Sequence, residues 1–323
     1  MCIRDSYRIE EVTAPDGYTI NKNYVEIKVD SDTLYQIDPI SGDAIIEVVY
    51  ENHPVKGEFT VVKKGEVLKD YGKDFKYEIE NLAGAVFAIY AAEDIYTADF
   101  QKDDAGNRIL EYAKDTLVAE LTTDETGSAT IKNLPLGNYK VVEKTAPDGF
   151  VHNGTEQNVQ YVYVDQNTPV VVESVEFINE RQKVEISVEK QDAENGSTIA
   201  GAEFGLYAKE DIKAGEKVIV KADEQLCTAV TGDDGTAVFE QDLPFGSYYI
   251  KELQAPDGFV SSDEIIEVTV SYQGQDVEVV RLKEIFKNQP TTVEFRKSDL
   301  TTGVELDLSL IHISEPTRHA QIS

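Results

Sequence analysis

The chain of 323 residues contains only two cysteines, Cys2 and Cys227, and a single methionine, Met1. A small secreted scaffold held together by disulfides would contain many more cysteines, so the sequence excludes that class. A cytoplasmic chain of this length would usually contain more of both residue types, so the composition is not typical of that class either. The length is sufficient for two or three domains of ordinary size.

Basic residues are also scarce, because 30 lysines and arginines stand against 61 acidic residues and the net charge is −31. Such a surface repels nucleic acid and anionic membranes, so neither is expected as a partner. No apolar run is long enough to span a bilayer, so no membrane insertion is expected of this fragment. The hydrophobic content of 41% is sufficient for packed cores.

Both ends of the chain match translated adapter DNA. Residues 1–6 are what ATG TGT ATA AGA GAC AG would encode, and the reverse complement of that DNA encodes residues 308–312. This DNA resembles a transposase-based sequencing adapter, and residues 313–318 continue its read-through. We therefore expect residues 1–6 and 308–323 to be adapter-encoded, and the natural gene to continue past both ends. Genomic reads that run continuously through these junctions would contradict this interpretation.

One motif, Y-x-x-x-E-x-x-A-P-D-G followed by an aromatic residue, occurs three times. The copies begin at Tyr7, Tyr139 and Tyr248. A period of two puts each tyrosine and glutamate on the same face of a strand, and A-P-D-G then ends the strand. Each copy therefore directs a carboxylate at an apolar core, which is costly unless the core contains a partner. The carboxylates belong to Glu11, Glu143 and Glu252.

Two further features recur in a constant order around this motif. Downstream of each glutamate, a β-rich run ends in aromatic-x-asparagine, at Asn52, Asn179 and Asn288. After each asparagine comes a very short polar joint and then an alternating strand that ends in lysine. These lysines are Lys63, Lys190 and Lys297. The chain is therefore a tandem repeat of one structural unit.

A complete unit contains the lysine strand, a middle segment, the glutamate strand and the asparagine strand. Two units are complete, at residues 55–182 and 183–290, and residues 7–54 are the C-terminal part of an earlier unit. Residues 291–307 are the start of a later unit. The short joints favour a stiff rod over flexibly linked beads.

Short alternating strands separated by glycine, proline and aspartate predict an all-β chain of antiparallel β-sandwiches. The middle segments of the two complete units match, but the first is longer between Lys63 and Leu82, where we predict a loop insertion. Only Ala91–Tyr96 and Ala208–Lys213 indicate a helical turn.

Parity places the lysines, glutamates and asparagines on the core faces of their strands, with Lys190 continuing the inward set that includes Val188. Desolvation in an aromatic-lined core favours the neutral amine and the neutral carboxylic acid. The amine can then attack the asparagine side-chain carbonyl while the glutamic acid polarises it and shuttles protons. Ammonia leaves, and a lysine–asparagine isopeptide bond remains.

Two alternatives stay open at this point. Lysine and glutamate could form a plain buried ion pair, with the asparagine only hydrogen-bonded to it. Removal of one partner would cost ~3–5 kcal/mol under either interpretation, but only the covalent bond changes the mass. In addition, a bulge in the first complete unit could present Lys64 instead of Lys63.

The order of these motifs resembles Cna protein B-type domains, also described as SpaA-like prealbumin-fold (reverse immunoglobulin-like) domains of Gram-positive surface proteins and pilins. The resemblance covers nearly all of residues 7–306. It implies isopeptide bonds Lys63–Asn179, promoted by Glu143, and Lys190–Asn288, promoted by Glu252. Glu11 and Asn52 would serve the truncated earlier domain, whose lysine is missing, and Lys297 the later one.

The same resemblance implies a function. We expect a structural stalk or pilin backbone of a secreted, cell-wall-associated adhesin, which crosslinks itself once per domain and is not a turnover enzyme. No histidine, cysteine or acidic cluster has the spacing of a metal site, so no metal or cofactor is expected. The expected partners are neighbouring domains of the chain and, through a missing C-terminus, sortase and peptidoglycan.

Two alternative functions are a ligand-binding module and a carbohydrate-active enzyme. One sandwich could carry a binding surface for a host protein or glycan. A carbohydrate-active enzyme with paired carboxylates is disfavoured, because its carboxylates would line an exposed cleft and these glutamates point into cores.

Overall fold

The computed structural model describes residues 5–29, 36–98, 102–292 and 296–305. Every regular element in these residues is a β-strand, which confirms the all-β prediction. The two predicted helical turns are wrong, because Ile95–Tyr96 and Ile212–Ala214 form short strands there. Of the adapter-like ends, residues 1–4 and 308–323 lie outside the described residues, whereas Asp5 and Ser6 lie in the first strand.

The first unit contains two small antiparallel pairs, β1 with β2 and β3 with β4. Their bounds are β1 Asp5–Glu10, β2 Tyr24–Val29, β3 Gln36–Ile37 and β4 Ala44–Ile45. The glutamate motif of this unit begins in β1. Residues 46–53 lead to the first joint without a described strand.

The second unit is a sandwich of two sheets, with the strand orders β10-β7-β12-β13 and β11-β5-β14. Its strands are β5 Lys56–Tyr71, β6 Phe75–Asn81, β7 Val86–Ala91, β8 Ile95–Tyr96, β9 Leu110–Tyr112, β10 Leu117–Thr122, β11 Ser128–Leu134, β12 Gly137–Thr145, β13 Glu156–Tyr161 and β14 Val170–Asn179. The inward side chains of both sheets form one apolar core.

The third unit repeats this arrangement with the strand orders β19-β16-β21-β22 and β20-β15-β23. Its strands are β15 Lys183–Asp192, β16 Glu203–Ala208, β17 Ile212–Ala214, β18 Lys217–Val220, β19 Gln225–Val230, β20 Thr236–Val238, β21 Gly246–Gln254, β22 Ile265–Val270 and β23 Val279–Asn288. The repetition of both sheets agrees with the tandem units that the motifs predict.

The first and last strands of each complete unit pair in parallel, whereas the other pairs among the described strands are antiparallel. β5 pairs with β14 so that Lys63 lies opposite Phe177, and β15 pairs with β23 so that Lys190 lies opposite Phe286. Each lysine is thereby two positions from the residue opposite the terminal asparagine of the last strand. This register brings the predicted reactive side chains together.

The segment predicted as a loop insertion is instead a β-hairpin. β5 continues past Lys63 to Tyr71, and β6 returns antiparallel to it. The tip of the hairpin contacts the third unit: Phe75 is only 6% exposed and belongs to the core cluster of that unit. The Tyr77 hydroxyl donates to the Asp242 carbonyl oxygen at 2.9 Å. A sequence motif could not show this packing, because the partner residues lie more than 100 positions away.

Charged groups also contribute to the contact between the hairpin and the third unit. The Arg181 guanidinium lies 3.8 Å from the centroid of the Tyr77 ring and pairs with the Asp242 carboxylate. Lys183 Nζ lies 2.8 Å from Glu66 Oε2 on β5. The second joint therefore combines apolar burial with opposite charges from both units.

Because Phe75 packs into the neighbouring core, we expect Phe75→Ala to destabilise the third unit by about 3–5 kcal/mol. Cys227 reports on that unit, since burial raises the pKa of its thiol to about 11 and keeps it protonated in the folded state. Urea unfolding followed by thiol labelling, in a Cys2→Ser background, measures the effect. Ile79→Ala, at a 52% exposed position of the same hairpin, is the matched control. Equal midpoints for both variants would contradict the prediction.

Candidate functional site

Strand alternation buries one lysine in each complete unit. Along residues 56–65 of β5 and along the whole of β15 every second residue is buried, and this series includes Lys63 and Lys190, both 0% exposed. The neighbouring Lys64 is on the opposite face, where its Nζ lies 2.5 Å from Glu176 Oε2. The strand contains no bulge at this point that would turn Lys64 inward.

The glutamate strands β12 and β21 are anchored by the tyrosines of the repeated motif. The Tyr139 hydroxyl donates to the Pro135 carbonyl oxygen at 2.8 Å, and the Tyr248 hydroxyl donates to Pro244 at 2.6 Å. Burial raises the pKa of both tyrosines, so each hydroxyl keeps its proton and remains a donor. The inward alternation that begins at the tyrosine ends at the glutamate, as the period of two predicts.

In the second unit, Glu143 contacts both of its expected partners. Lys63 Nζ lies 2.9 Å from Glu143 Oε1, with angles outside those of a regular hydrogen bond. Asn179 Nδ2 donates to Glu143 Oε2 at 2.8 Å. Asn179 Oδ1 is buried and finds no hydrogen-bond partner among the described residues. The three side chains are each at most 1% exposed.

The third unit contains the same arrangement with further contacts. Lys190 Nζ lies 2.8 Å from Glu252 Oε1, and Asn288 Nδ2 donates to the two Glu252 oxygens at 2.8 and 3.0 Å. Lys190 Nζ also donates to Asn288 Oδ1. The amine is therefore in direct contact with the amide group as well as with the carboxylate.

Phenylalanine rings line both sites. The Phe87 and Phe177 ring centroids lie 4.8 Å apart, and so do those of Phe204 and Phe286. Lys190 Nζ is 5.5 Å from the Phe204 centroid and 5.8 Å from the Phe286 centroid. The rings exclude water from the amine while their faces still attract its positive charge.

Burial lowers the pKa of Lys63 and Lys190, and the contact with Glu143 or Glu252 opposes part of that shift. Desolvation penalises the ammonium form, so the neutral amine is more accessible here than on the surface. Within the described residues no group of three histidine, cysteine or acidic side chains is arranged to hold a metal ion. The groups that meet at each site are an amine, a carboxyl group and an amide.

The truncated first unit brings together the two predicted residues that it contains. Asn52 Nδ2 donates to both Glu11 oxygens, at 2.9 and 2.8 Å, and both residues are half-buried. At the other end of the chain, Lys297 is exposed, and residues 293–295 of its predicted strand lie outside the described residues. No partner was expected for Lys297 within this chain.

Two backbone N–H groups also contribute to these sites, and no predicted motif included them. The Ser262 N–H donates to Glu252 Oε2 at 2.8 Å, and the Asn21 N–H donates to Glu11 Oε2 at 2.7 Å. Both donors lie ten residues after their glutamate, a constant offset that could have indicated them. These bonds satisfy a carboxylate oxygen without a further charged group.

Lys63→Met is expected to destabilise the second unit by about 3–5 kcal/mol, because it leaves the Glu143 carboxylate buried without its cation. Lys64→Met is the matched control. Its partner Glu176 has a 46% exposed side chain, so this change is expected to cost less than about 1 kcal/mol. Denaturant unfolding of both variants measures the difference. Similar losses of stability in Lys63→Met and Lys64→Met would contradict the prediction, because the buried contact would then stabilise the unit no more than the exposed one.

Comparisons with known proteins agree with the fold. The family model of the SpaA prealbumin-like fold domain matches residues 73–176 and 184–284. The Bacillus anthracis TIE protein is 24% identical over 88% of this chain, with a TM-score of 0.53, and the match covers 42% of that protein. The chain therefore spans less than half the length of this relative.

Two pilin structures align with lower scores. The streptococcal ancillary pilin is 19% identical over 90% of this chain and 76% of its own, with a TM-score of 0.28. The shaft pilin SpaA from Lactobacillus rhamnosus GG is 14% identical over 74% of this chain and 100% of its own, with a TM-score of 0.27. A comparison with curated proteins gives no match.

The described residues contain no helix with the length and apolar character needed to cross a membrane. The two segments matched by the family model together make up more than half of the chain, and each lies within one of the two-sheet sandwiches described above. The predicted resemblance is thereby confirmed, and the chain belongs to the SpaA family of prealbumin-like fold domains.

Proposed function

We propose that residues 55–182 and 183–290 are self-crosslinking structural domains in the stalk or pilin backbone of a cell-surface adhesin. The observation that carries this proposal is the contact of an amine, a carboxyl group and an amide in two separate water-excluded cores. One such cluster could be an ordinary ion pair. Its repetition with the same residue types on the same strands supports a shared chemical role.

The proposed reaction joins Lys190 Nζ to Asn288 Cγ. The neutral amine attacks the amide carbon, Glu252 accepts a proton from the amine, and it delivers that proton to Asn288 Nδ2. The Cγ–Nδ2 bond breaks, ammonia leaves, and the new Cγ–Nζ amide remains. No cofactor or external reactant is needed, and each domain reacts once, so it is not a turnover enzyme.

The contacts refine the role of the glutamate. The sequence predicts that the glutamate both polarises the carbonyl and transfers protons. In both domains the carboxylate faces Nδ2 of the asparagine, the leaving nitrogen, as well as the lysine amine. This arrangement supports the proton-transfer role. Lys63, Glu143 and Asn179 would react in the same way.

The parallel pairing of β15 with β23 suggests what the bond would do under tension. The chain enters the third domain at Lys183 and leaves it after Asn288, at opposite ends of the parallel pair. A bond from Lys190 to Asn288 would let force pass from β15 directly to the exit. The segment between Lys190 and Asn288, which are 98 positions apart, would then carry no tension. By analogy with a disulfide of similar loop length, the bond would add roughly 4–5 kcal/mol of stability.

A location outside the cell, attached to the wall of a Gram-positive bacterium, is part of this proposal. It is supported by the SpaA family membership and by the parallel pairing of the first and last strands. Neighbouring domains of the chain would be the immediate partners. Sortase and peptidoglycan would act through a segment beyond this sequence.

Intact-mass spectrometry tests the reaction. The wild-type chain is expected to weigh two ammonia masses less than its sequence predicts. Glu143→Ala and Glu252→Ala should each restore one ammonia mass, because each removes the proton carrier of one site. Lys64→Met is the control and should retain both deficits. An undiminished wild-type mass would reduce the residues to buried polar pairs and favour the ligand-binding alternative.

Single-molecule stretching tests the mechanical role. When the full chain is pulled from its ends, the wild-type third domain is expected to release none of the length between Lys190 and Asn288. Glu252→Ala should unfold in one step and release that length, because the first and last strands are then held only by hydrogen bonds and packing. If both chains lengthen equally, the bond carries no load.

A further inference from the structure

The A-P-D-G turn contacts the following joint in the same way in all three units. The aromatic residue after the turn forms an antiparallel bridge with a residue of the joint. The three bridges are Tyr18 with Pro54, Phe150 with Arg181, and Phe259 with Pro290. The turn that ends the glutamate strand therefore also holds the point where the chain passes to the next unit.

At the second joint a glutamine of the third unit binds this turn. Gln275, in the loop between β22 and β23, accepts a hydrogen bond at its side-chain oxygen Oε1 from Ala146 N–H at 3.0 Å. Its backbone carbonyl oxygen accepts from His152 N–H at 2.9 Å. Ala146 begins the A-P-D-G sequence, and the two donors flank the turn. One residue of the third unit thus binds both sides of the turn.

The first joint has the same pair of contacts. Gln166, in the loop between β13 and β14, accepts from Ala14 N–H at Oε1 at 2.8 Å. Its backbone carbonyl oxygen accepts from Ile20 N–H at 2.9 Å. Ala14 and Ile20 have the positions in the first motif that Ala146 and His152 have in the second. Two joints of different sequence therefore use one geometry.

The chemistry of the turn explains why a carbonyl-bearing side chain is required. The residue after each alanine is proline, which has no N–H, so the alanine N–H is the last donor of the strand before the turn. Docking leaves Ala14 only 6% and Ala146 only 3% exposed. A buried backbone N–H needs an acceptor, and the glutamine amide oxygen provides it.

We propose that the A-P-D-G turn is a docking site for the following β-sandwich, which is recognised through the glutamine in the loop before its last strand. The contact would set the orientation of one domain on the next. This role is independent of the proposed crosslink, since the alanine N–H and the glutamine take no part in that reaction.

The third turn, Ala255–Gly258, is the docking site for a partner outside the described domains. Ala255 is half-exposed, in contrast to the buried alanines of the two docked turns. Phe259, which follows this turn, forms the same kind of bridge with Pro290, and the chain continues from Pro290 into residues 291–305. The occupant that fits is a further sandwich of the same chain, of which those residues are the start. It would present a glutamine from the loop before its last strand.

Amide hydrogen exchange of the full chain tests the two docked turns. Gln275→Ala is expected to accelerate exchange at the Ala146 N–H by about tenfold, and Gln166→Ala should do the same at Ala14. Gln275→Glu retains an acceptor and should preserve the protection. Gln273→Ala is the matched control, since the Gln273 side chain bonds only to Ser271 within its own loop. Unchanged exchange at Ala146 in Gln275→Ala would overturn the proposal.

A chimaeric chain tests the third turn. A second copy of residues 183–290, placed after Pro290, is expected to slow exchange at the Ala255 N–H by about tenfold. The same copy with the substitution equivalent to Gln275→Ala should leave that amide as it is in the natural chain. Equal protection by both copies would show that the glutamine is not what the turn recognises. Intact mass, measured on the same samples, reports separately on crosslinking.

Discussion

A buried lysine amine is the constraint on which each domain depends. An ammonium group in an apolar core is costly unless a carboxylate and further hydrogen bonds compensate for it. Lys190 can meet Glu252 and Asn288 only if the first and last strands are paired in the correct register and the glutamate strand of the facing sheet packs across them. The parallel pairing of the first and last strands provides that register. The aromatic rings around the amine then make the same group a potential nucleophile.

The glutamate motif combines several tasks in a dozen residues. In the third motif, the tyrosine anchors the strand to the preceding L-P-x-G segment, and the glutamate enters the core. The A-P-D-G turn ends the strand, and its aromatic residue bridges to the joint. In the first two copies the turn also contacts the glutamine of the next unit. One short segment thereby links the interior of a domain to its neighbour.

Prediction from the sequence is correct where the structure follows from local alternation. A period of two predicted that Lys63 lies inward but left open a bulge that would present Lys64, and the structure has Lys63 in the buried series and Lys64 on the other face. It was wrong at Ala91–Tyr96 and Ala208–Lys213, which are too short for a helical pattern to be distinguished from irregular strands. The hairpin of β5 and β6 was predicted as a loop, because its apolar residues pack against the third unit and not against the core of their own unit.

The sequence by itself determined the all-β class, the repeat and the inward face of the strands that contain the lysines and glutamates, because these follow from local alternation and from the recurrence of short motifs. Only the tertiary structure decided that the first and last strands are parallel, that Phe75 packs into the third unit, and that Gln275 contacts Ala146. Each of these contacts joins residues far apart in the chain. Local alternation predicts which side of a strand is buried, but the partner on that side depends on how whole units pack together.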